Sequence, residues 1–166
     1  DEFSFEIGEV IADRLEHVEN IVTLNVPIPE STRKIIELNL KYDFRKEYID
    51  SGGMGITVCD LLREDDANKR KVVEINNASR SYNREDNQRR ILKEDLYSNL
   101  KRLMEQGKIK LLVDDEVKAS LKSILAEHDP ITGKLKIWGS YSHIAEGLIR
   151  MAWCVKDKGL KLWVHY

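Results

Sequence analysis

Two groups of residues have the types and spacing that metal-assisted chemistry needs. The first is Tyr48-Ile49-Asp50-Ser51-Gly52-Gly53-Met54-Gly55, in which two apolar residues run into a carboxylate and then a glycine-rich turn. A strand ending there fixes Asp50 at its C-terminal edge. Ser51, Gly52, Gly53 and Gly55 let the backbone turn sharply and leave room beside the carboxylate for a ligand, metal or phosphate. The second is Ser142-His143-Ile144-Ala145-Glu146-Gly147. His143 and Glu146 are three apart, so on a helix they project from nearly the same side. An Asp, a His and a Glu can hold one or two hard divalent cations. Oxygen ligands favour Mg²⁺ or Mn²⁺, and one His moves the balance toward Mn²⁺. Two such ions about 4 Å apart activate a water and stabilise a leaving oxygen in phosphodiester hydrolysis. Each group also has a plainer reading. Asp50 is then an incidental acid in a tight turn, His143 a helix-start residue with a local hydrogen bond, and Glu146 part of a solvated helix face.

The elements that must position these residues follow from apolar periodicity. Phe3, Phe5 and Ile7 alternate with polar neighbours, which predicts a strand. A polar turn near Ala12-Asp13-Arg14 leads to a second strand, about residues 17–26, and the two read as an antiparallel hairpin. Pro27 and Pro29 end it. Glu30 or Ser31 opens a helix to about Tyr42, with Ile35, Leu38 and Tyr42 on one face and Ile36 and Leu40 beside it. The Asp50 strand and a helix over residues 56–63 come next. Lys71-Val72-Val73-Glu74-Ile75 is a short apolar strand able to lie beside the Asp50 strand. An Asn/Ser-rich loop, 76–83, precedes a long helix over 85–106, whose stripe is Leu92, Leu96, Leu100, Leu103 and Met104 and whose C-terminal cap is Gly107. Residues 108–113 are extended. Asp114 or Asp115 then caps a helix with Val117, Leu121, Ile124 and Leu125 inward. A strand over 134–138, a last helix over 142–155 and an edge strand at 160–164 complete the chain. The order predicts an α/β fold, a mixed central sheet of an antiparallel hairpin plus parallel strands, with helices on both faces.

Composition limits the function classes. The 166 residues suit one domain with a sizeable core, and 42% apolar with 34% charged residues describes a globular chain. No apolar run is long enough to span a membrane, and the first residues lack a signal peptide's basic start. The first residue is not Met, so the chain reads as a piece of a longer one. Cys59 and Cys154 fall in apolar helical patterns and read as buried free thiols, which suits a reducing compartment. Neither they nor the histidines have zinc-site spacing, and His17, His128 and His165 lack partners at suggestive spacing. With 27 basic against 29 acidic side chains the net charge is −2, so any nucleic-acid contact must be local. Arg80, Arg84, Arg89, Arg90 and Lys93 supply one such basic group and Lys69, Arg70 and Lys71 another. Interspersed Glu85, Asp86 and Glu94 equally suit a solvated face.

The order of elements, the Ile49–Gly55 stretch and the terminal helix together resemble the C-terminal nuclease domain of phage and archaeal-virus large terminase subunits. The Asn76–Arg80 loop and the segments 85–106 and 107–125 resemble the passage between that family's acids. Its terminal helix carries paired aspartates ahead of an Ala-Leu pair, and His143 to Leu148 stand at the matching positions. The resemblance implies an RNase H-like fold in a single domain, 1–166, and a metal-dependent DNA endonuclease that cuts concatemeric double-stranded DNA during packaging. Asp50, His143 and Glu146 would be its catalytic, metal-binding residues, with two Mg²⁺ or Mn²⁺ ions. The portal and the small terminase subunit would be partners, and the host cytoplasm the location, with no membrane involved. Two departures accompany it. The family's first acid lies on a strand that would precede Asp1, and neither Glu6 nor Glu9 takes its place. No Walker A pattern occurs, so the ATPase half is absent from these residues. A non-catalytic DNA- or partner-binding module and a junction resolvase on the same fold are the competing readings.

Overall fold

The computed structural model describes residues 2–78, 80–83, 88–131 and 135–156. The elements are β1 (Glu2–Ile11), β2 (Arg14–Leu24), α1 (Ile28–Tyr42), β3 (Glu47–Asp50), α2 (Gly55–Glu64), β4 (Val72–Ile75), β5 (Arg80–Asn83), β6 (Gln88–Ile91), α3 (Leu92–Glu105), β7 (Ile109–Lys110), α4 (Asp115–Ser123), β8 (Ile124–His128), β9 (Leu135–Gly139) and α5 (His143–Ala152), with a 3₁₀ turn at Trp153–Val155. The chain forms two compact units. One is Thr23–Lys93 with the start of β1, and the other is Ser4–Val22 with the described residues from Glu94 onward.

The first unit is built on a parallel pair. β3 lies beside β4 in the register Glu47↔Val72 to Asp50↔Ile75. Parallel neighbours need a crossover, and α2 supplies it, burying Val58, Cys59 and Leu62. α1 starts earlier than its Ser and Glu suggest. Its N-cap is Pro27, with a proline in the first helical turn, where a missing N–H costs nothing. It ends on Asp43 at φ 49, and Leu40, expected near the buried face, is 76% exposed. Residues 88–91, expected in the helix from Glu85, are instead strand β6, paired antiparallel with β5 from Arg80↔Ile91 to Asn83↔Gln88. Residues 85–90 hold no apolar side chain that a helix could bury, so α3 begins with its leucine stripe, at Leu92.

The second unit holds the mixed sheet β1-β2-β7. β1 and β2 are joined through Ala12, whose φ of 54 makes the reversal, and β7 runs parallel to β2 at Leu15↔Ile109 and Glu16↔Lys110. α3 contributes Leu96, Leu100 and Leu103 at 4% exposure or less, whereas Met104 is 46% exposed. Gly107 ends this helix at φ 64, with the Lys108 N–H returning to the Leu103 carbonyl at 2.9 Å. α4 is capped by Asp114, whose carboxylate accepts from the Glu116 and Val117 amides. It stops at Ser123, not at Leu125. Residues 124–128 instead pair with β9 from Ile124↔Gly139 to His128↔Leu135, and Leu125 is 54% exposed. β-branched Ile124 starts the run, and a ladder satisfies its backbone where a continued helix would bury nothing. The centre of this unit is α5, with Ile144, Ala145, Leu148, Ile149 and Ala152 all at 0% exposure. Each large aliphatic side chain buried so completely contributes roughly 1.5–3 kcal/mol.

Both cysteines are buried free thiols. No helix among the described residues is long and apolar enough to cross a membrane. The tail expected as an edge strand, with His165, lies outside the described residues.

Candidate functional site

Asp50 is the last residue of β3 and is exposed. Its turn is built as its glycines suggest. The Gly52 amide donates to Asp50 Oδ1 at 2.9 Å, the Ser51 amide continues the ladder to the Ile75 carbonyl at 3.2 Å, and the Gly55 amide closes on the Gly52 carbonyl at 3.1 Å. Gly53 takes φ +55, and a Cβ on Gly55 would overlap the Asp50 carbonyl oxygen. Gly55 is also the first residue of α2, so backbone contact and helix start coincide there. Beside this turn a cleft of about 310 Å³ is lined by Phe3, Asn25, Val26, Pro27, Ile28 and Met54.

His143 and Glu146 occupy the first turns of α5, as spacing requires. His143 is exposed. Glu146 is largely enclosed, with 18% side-chain exposure, and it is not a solvated face residue. The Tyr97 hydroxyl donates to Glu146 Oε1 at 2.9 Å. Arg150 Nη1 donates to the Glu146 carbonyl at 2.6 Å and stands 3.5 Å from Oε2. Burial, and then the charge and hydrogen bond of Glu146, hold the Tyr97 hydroxyl protonated well above the usual phenol range. The first turn is further pinned by Ser120 Oγ, which accepts from the Ala145 amide at 3.0 Å and donates to the Tyr141 carbonyl at 2.7 Å. At the other end Asn99 Nδ2 donates to the Ala152 carbonyl at 2.9 Å.

Under α5 lies a pair that spacing alone does not reveal. His17 Nε2 meets Glu6 Oε2 at 2.8 Å, with side chains 0% and 1% exposed. His17 therefore has a partner, across the β1–β2 hairpin. Glu6 is buried in that pair, and Ser4 Oγ donates to its other oxygen. Tyr97, Arg150, Glu6 and His17 are all additions to the predicted set. Of these, Arg150 alone carries a readable signal, standing four residues after Glu146 on one helix.

The basic groups divide. Arg80, expected in a loop, and Arg89 and Arg90, expected on the long helix, lie on the paired strands β5 and β6, with Ser81↔Arg90 and Tyr82↔Arg89 opposite each other. Lys93 is in the first turn of α3, and Arg84 lies outside the described residues. In the second group Lys69 pairs with Asp66 and Lys71 with Asp43 at 2.8 Å, so two of its three charges are already answered.

The donor chemistry of Asp50, Glu146 and His143 fits a hard divalent cation. Among the described residues no group of three His, Cys, Asp or Glu side chains forms a metal cage.

No family model and no curated protein sequence matches the chain. Solved structures do. The large terminase nuclease of thermophilic phage G20c with bound magnesium aligns over 92% of this chain and 81% of its own, at TM-score 0.63 and 15% identity. The same nuclease with bound cobalt aligns over the same shares at TM-score 0.61 and 15% identity. The fold is that of the large terminase nucleases. The nuclease domain of the Thermus phage P74-26 large terminase aligns likewise, over 92% of this chain and 79% of its own, at TM-score 0.61 and 14% identity. At such identity the likeness carries the α/β fold alone, and the chemistry rests on the side chains.

Proposed function

We propose that this chain is the nuclease domain of a viral genome-packaging terminase, hydrolysing phosphodiester bonds of concatemeric double-stranded DNA with divalent metal. The observation that carries the reading is Asp50. An exposed carboxylate at the end of a parallel strand, on a turn that only glycine can close at Gly55, sits within the terminase-nuclease fold. The bound magnesium and cobalt of the G20c nuclease support divalent chemistry. In this reading Asp50, His143 and Glu146 would hold Mg²⁺ or Mn²⁺, two ions in all, and the metal when bound would supply Lewis acidity and an activated water. The residues' own work is separate from that. Gly52 orients one Asp50 oxygen through its amide. Tyr97 and Arg150 fix the Glu146 carboxylate. Arg80, Arg84, Arg89, Arg90 and Lys93 give the phosphate contacts that make DNA binding salt-dependent. The portal, the small terminase subunit and the host cytoplasm belong to the same reading.

Supercoiled-plasmid nicking in Mg²⁺ or Mn²⁺ tests it. Asp50→Asn and Glu146→Gln should each lower the rate by at least about 100-fold while the chain stays folded. Unchanged nicking by Asp50→Asn would sink the assignment. One observation favours a second reading, a non-catalytic module that binds DNA or a packaging partner. Glu146 is already engaged by Tyr97 and Arg150, so it can be structural. That reading requires DNA binding without metal-dependent cleavage.

A further inference from the structure

We propose that Glu6, bonded by Ser4 and packed against His17, is a positioning residue that seats the backbone carrying Glu146. The proposal rests on the reading of Glu146 as part of a metal-dependent nuclease.

Phe3, Phe5 and Ile7 share one face of β1, and Ser4, Glu6 and Gly8 share the other. The second face, polar in sequence, is turned against α5. A Cβ on Gly147 would stand 2.5 Å from Glu6 Cγ and 3.4 Å from Ser4 Oγ, and one on Gly8 would stand 2.6 Å from Met151 Sδ. Gly147 and Met151, one helical turn apart, thus rest on Glu6 and on Gly8, two residues apart on the strand. Glycine at each crossing lets strand and helix approach this closely.

The Glu6 side chain is only 1% exposed in this seat. Taking two ionisable groups out of water is costly, and an apolar pair of similar size would fill the space at less cost. What the pair supplies is direction. Ser4 Oγ donates to one Glu6 oxygen, and His17 Nε2, itself bonded to the Glu19 carbonyl at 3.0 Å, packs 2.8 Å from the other, so the side chain is confined on both sides. Its methylene lies against Gly147, whose peptide bond joins it to Glu146. The Glu146 carboxylate is gripped at its far end by Tyr97 and Arg150. Backbone and side chain of Glu146 are therefore each fixed by a separate buried contact.

The test compares Glu6→Gln with the unmodified chain. The substitution keeps volume and replaces one carboxyl oxygen with an amide nitrogen. Two readouts are taken: the rate of Mg²⁺- or Mn²⁺-dependent nicking at saturating DNA, and the Tyr97 ring resonances by NMR in the absence of metal and DNA. The expected result is a rate roughly 10- to 100-fold lower, unchanged DNA affinity, and Tyr97 resonances displaced as in Glu146→Gln. Either readout at its unmodified value overturns the proposal. Should Glu6→Gln fail to fold, His17→Gln, which retains a donor toward Glu6, carries the same two readouts in the same directions. Failure of the underlying reading looks different. Glu146→Gln would then nick at the unmodified rate, while the Tyr97 resonances still report whether Glu6 seats the helix.

Discussion

Tyr97 on α3 and Glu146 on α5 are 49 residues apart in sequence and joined by a 2.9 Å hydrogen bond. Burial and then the neighbouring carboxylate favour the protonated phenol, the form that donates to Glu146. Tyr97→Phe removes this donor from a mostly enclosed carboxylate. The loss should be about 1–2 kcal/mol of stability, the usual scale for a hydrogen bond to a charged group that retains some solvent. Urea unfolding at neutral pH measures it. A midpoint equal to that of the unmodified chain would mean that water replaces the hydroxyl without cost.

The glycines of the Asp50 turn should not be equivalent. Gly53 adopts φ +55 with nothing within 4 Å of a built Cβ, so Gly53→Ala meets conformational strain only. That strain is about 1–2 kcal/mol. At Gly55 the Cβ would overlap the Asp50 carbonyl, and backbone atoms cannot swing aside as a side-chain tip can. Gly55→Ala should therefore cost about 3 kcal/mol or more and displace Asp50 itself. Paired denaturation curves check the order. Equal losses at the two positions would contradict the geometry of the turn.

Local patterns make parts of this arrangement legible and hide others. β3 is readable because a strand that ends on Asp50 and turns through glycines leaves a mark in adjacent residues. The parallel partner β4 is readable because Val72, Val73 and Ile75 give a short apolar run. β6 is not, since Gln88-Arg89-Arg90-Ile91 has neither strand alternation nor a helical stripe, and its pairing with β5 decides its form. β8 reads as helix because Ile124 and Leu125 extend the spacing of Val117 and Leu121 by chance. The site divides in the same way. Asp50 and the His143–Glu146 spacing are local signals. Glu6 with His17, and Tyr97 with Glu146, are made by tertiary packing between segments that carry no mutual signature. A lone buried His in a strand reads as core until the strand opposite is known.

Glu47 gives the chain a pH dependence whose sign can be worked out. It opens β3 at 7% exposure, and among the described residues neither of its carboxylate oxygens has a hydrogen-bond partner. Burial pushes its pKa from 4.5 up to about 7, against a lowering by the Lys71 ammonium and with a smaller lift from Asp65. Lys71 cannot fully compensate, because its ammonium is held by Asn39 Oδ1 at 3.0 Å and Asp43 Oδ1 at 2.8 Å. The folded state therefore keeps a proton that the unfolded chain gives up between pH 4.5 and about 7. Unfolding releases that proton, so the stabilisation is complete below the lower value and is lost as pH rises through the upper one. The separation of the two values caps the effect at about 3 kcal/mol, and solvent relaxation brings it to the order of 2 kcal/mol. Glu47→Gln stays neutral at every pH, so it should match the unmodified chain near pH 5 and exceed its stability near pH 8. Urea midpoints at the two pH values decide the matter. Parallel behaviour of the two chains would show that Glu47 is ionised and solvated at neutral pH, and that the β3 entrance opens enough to admit water.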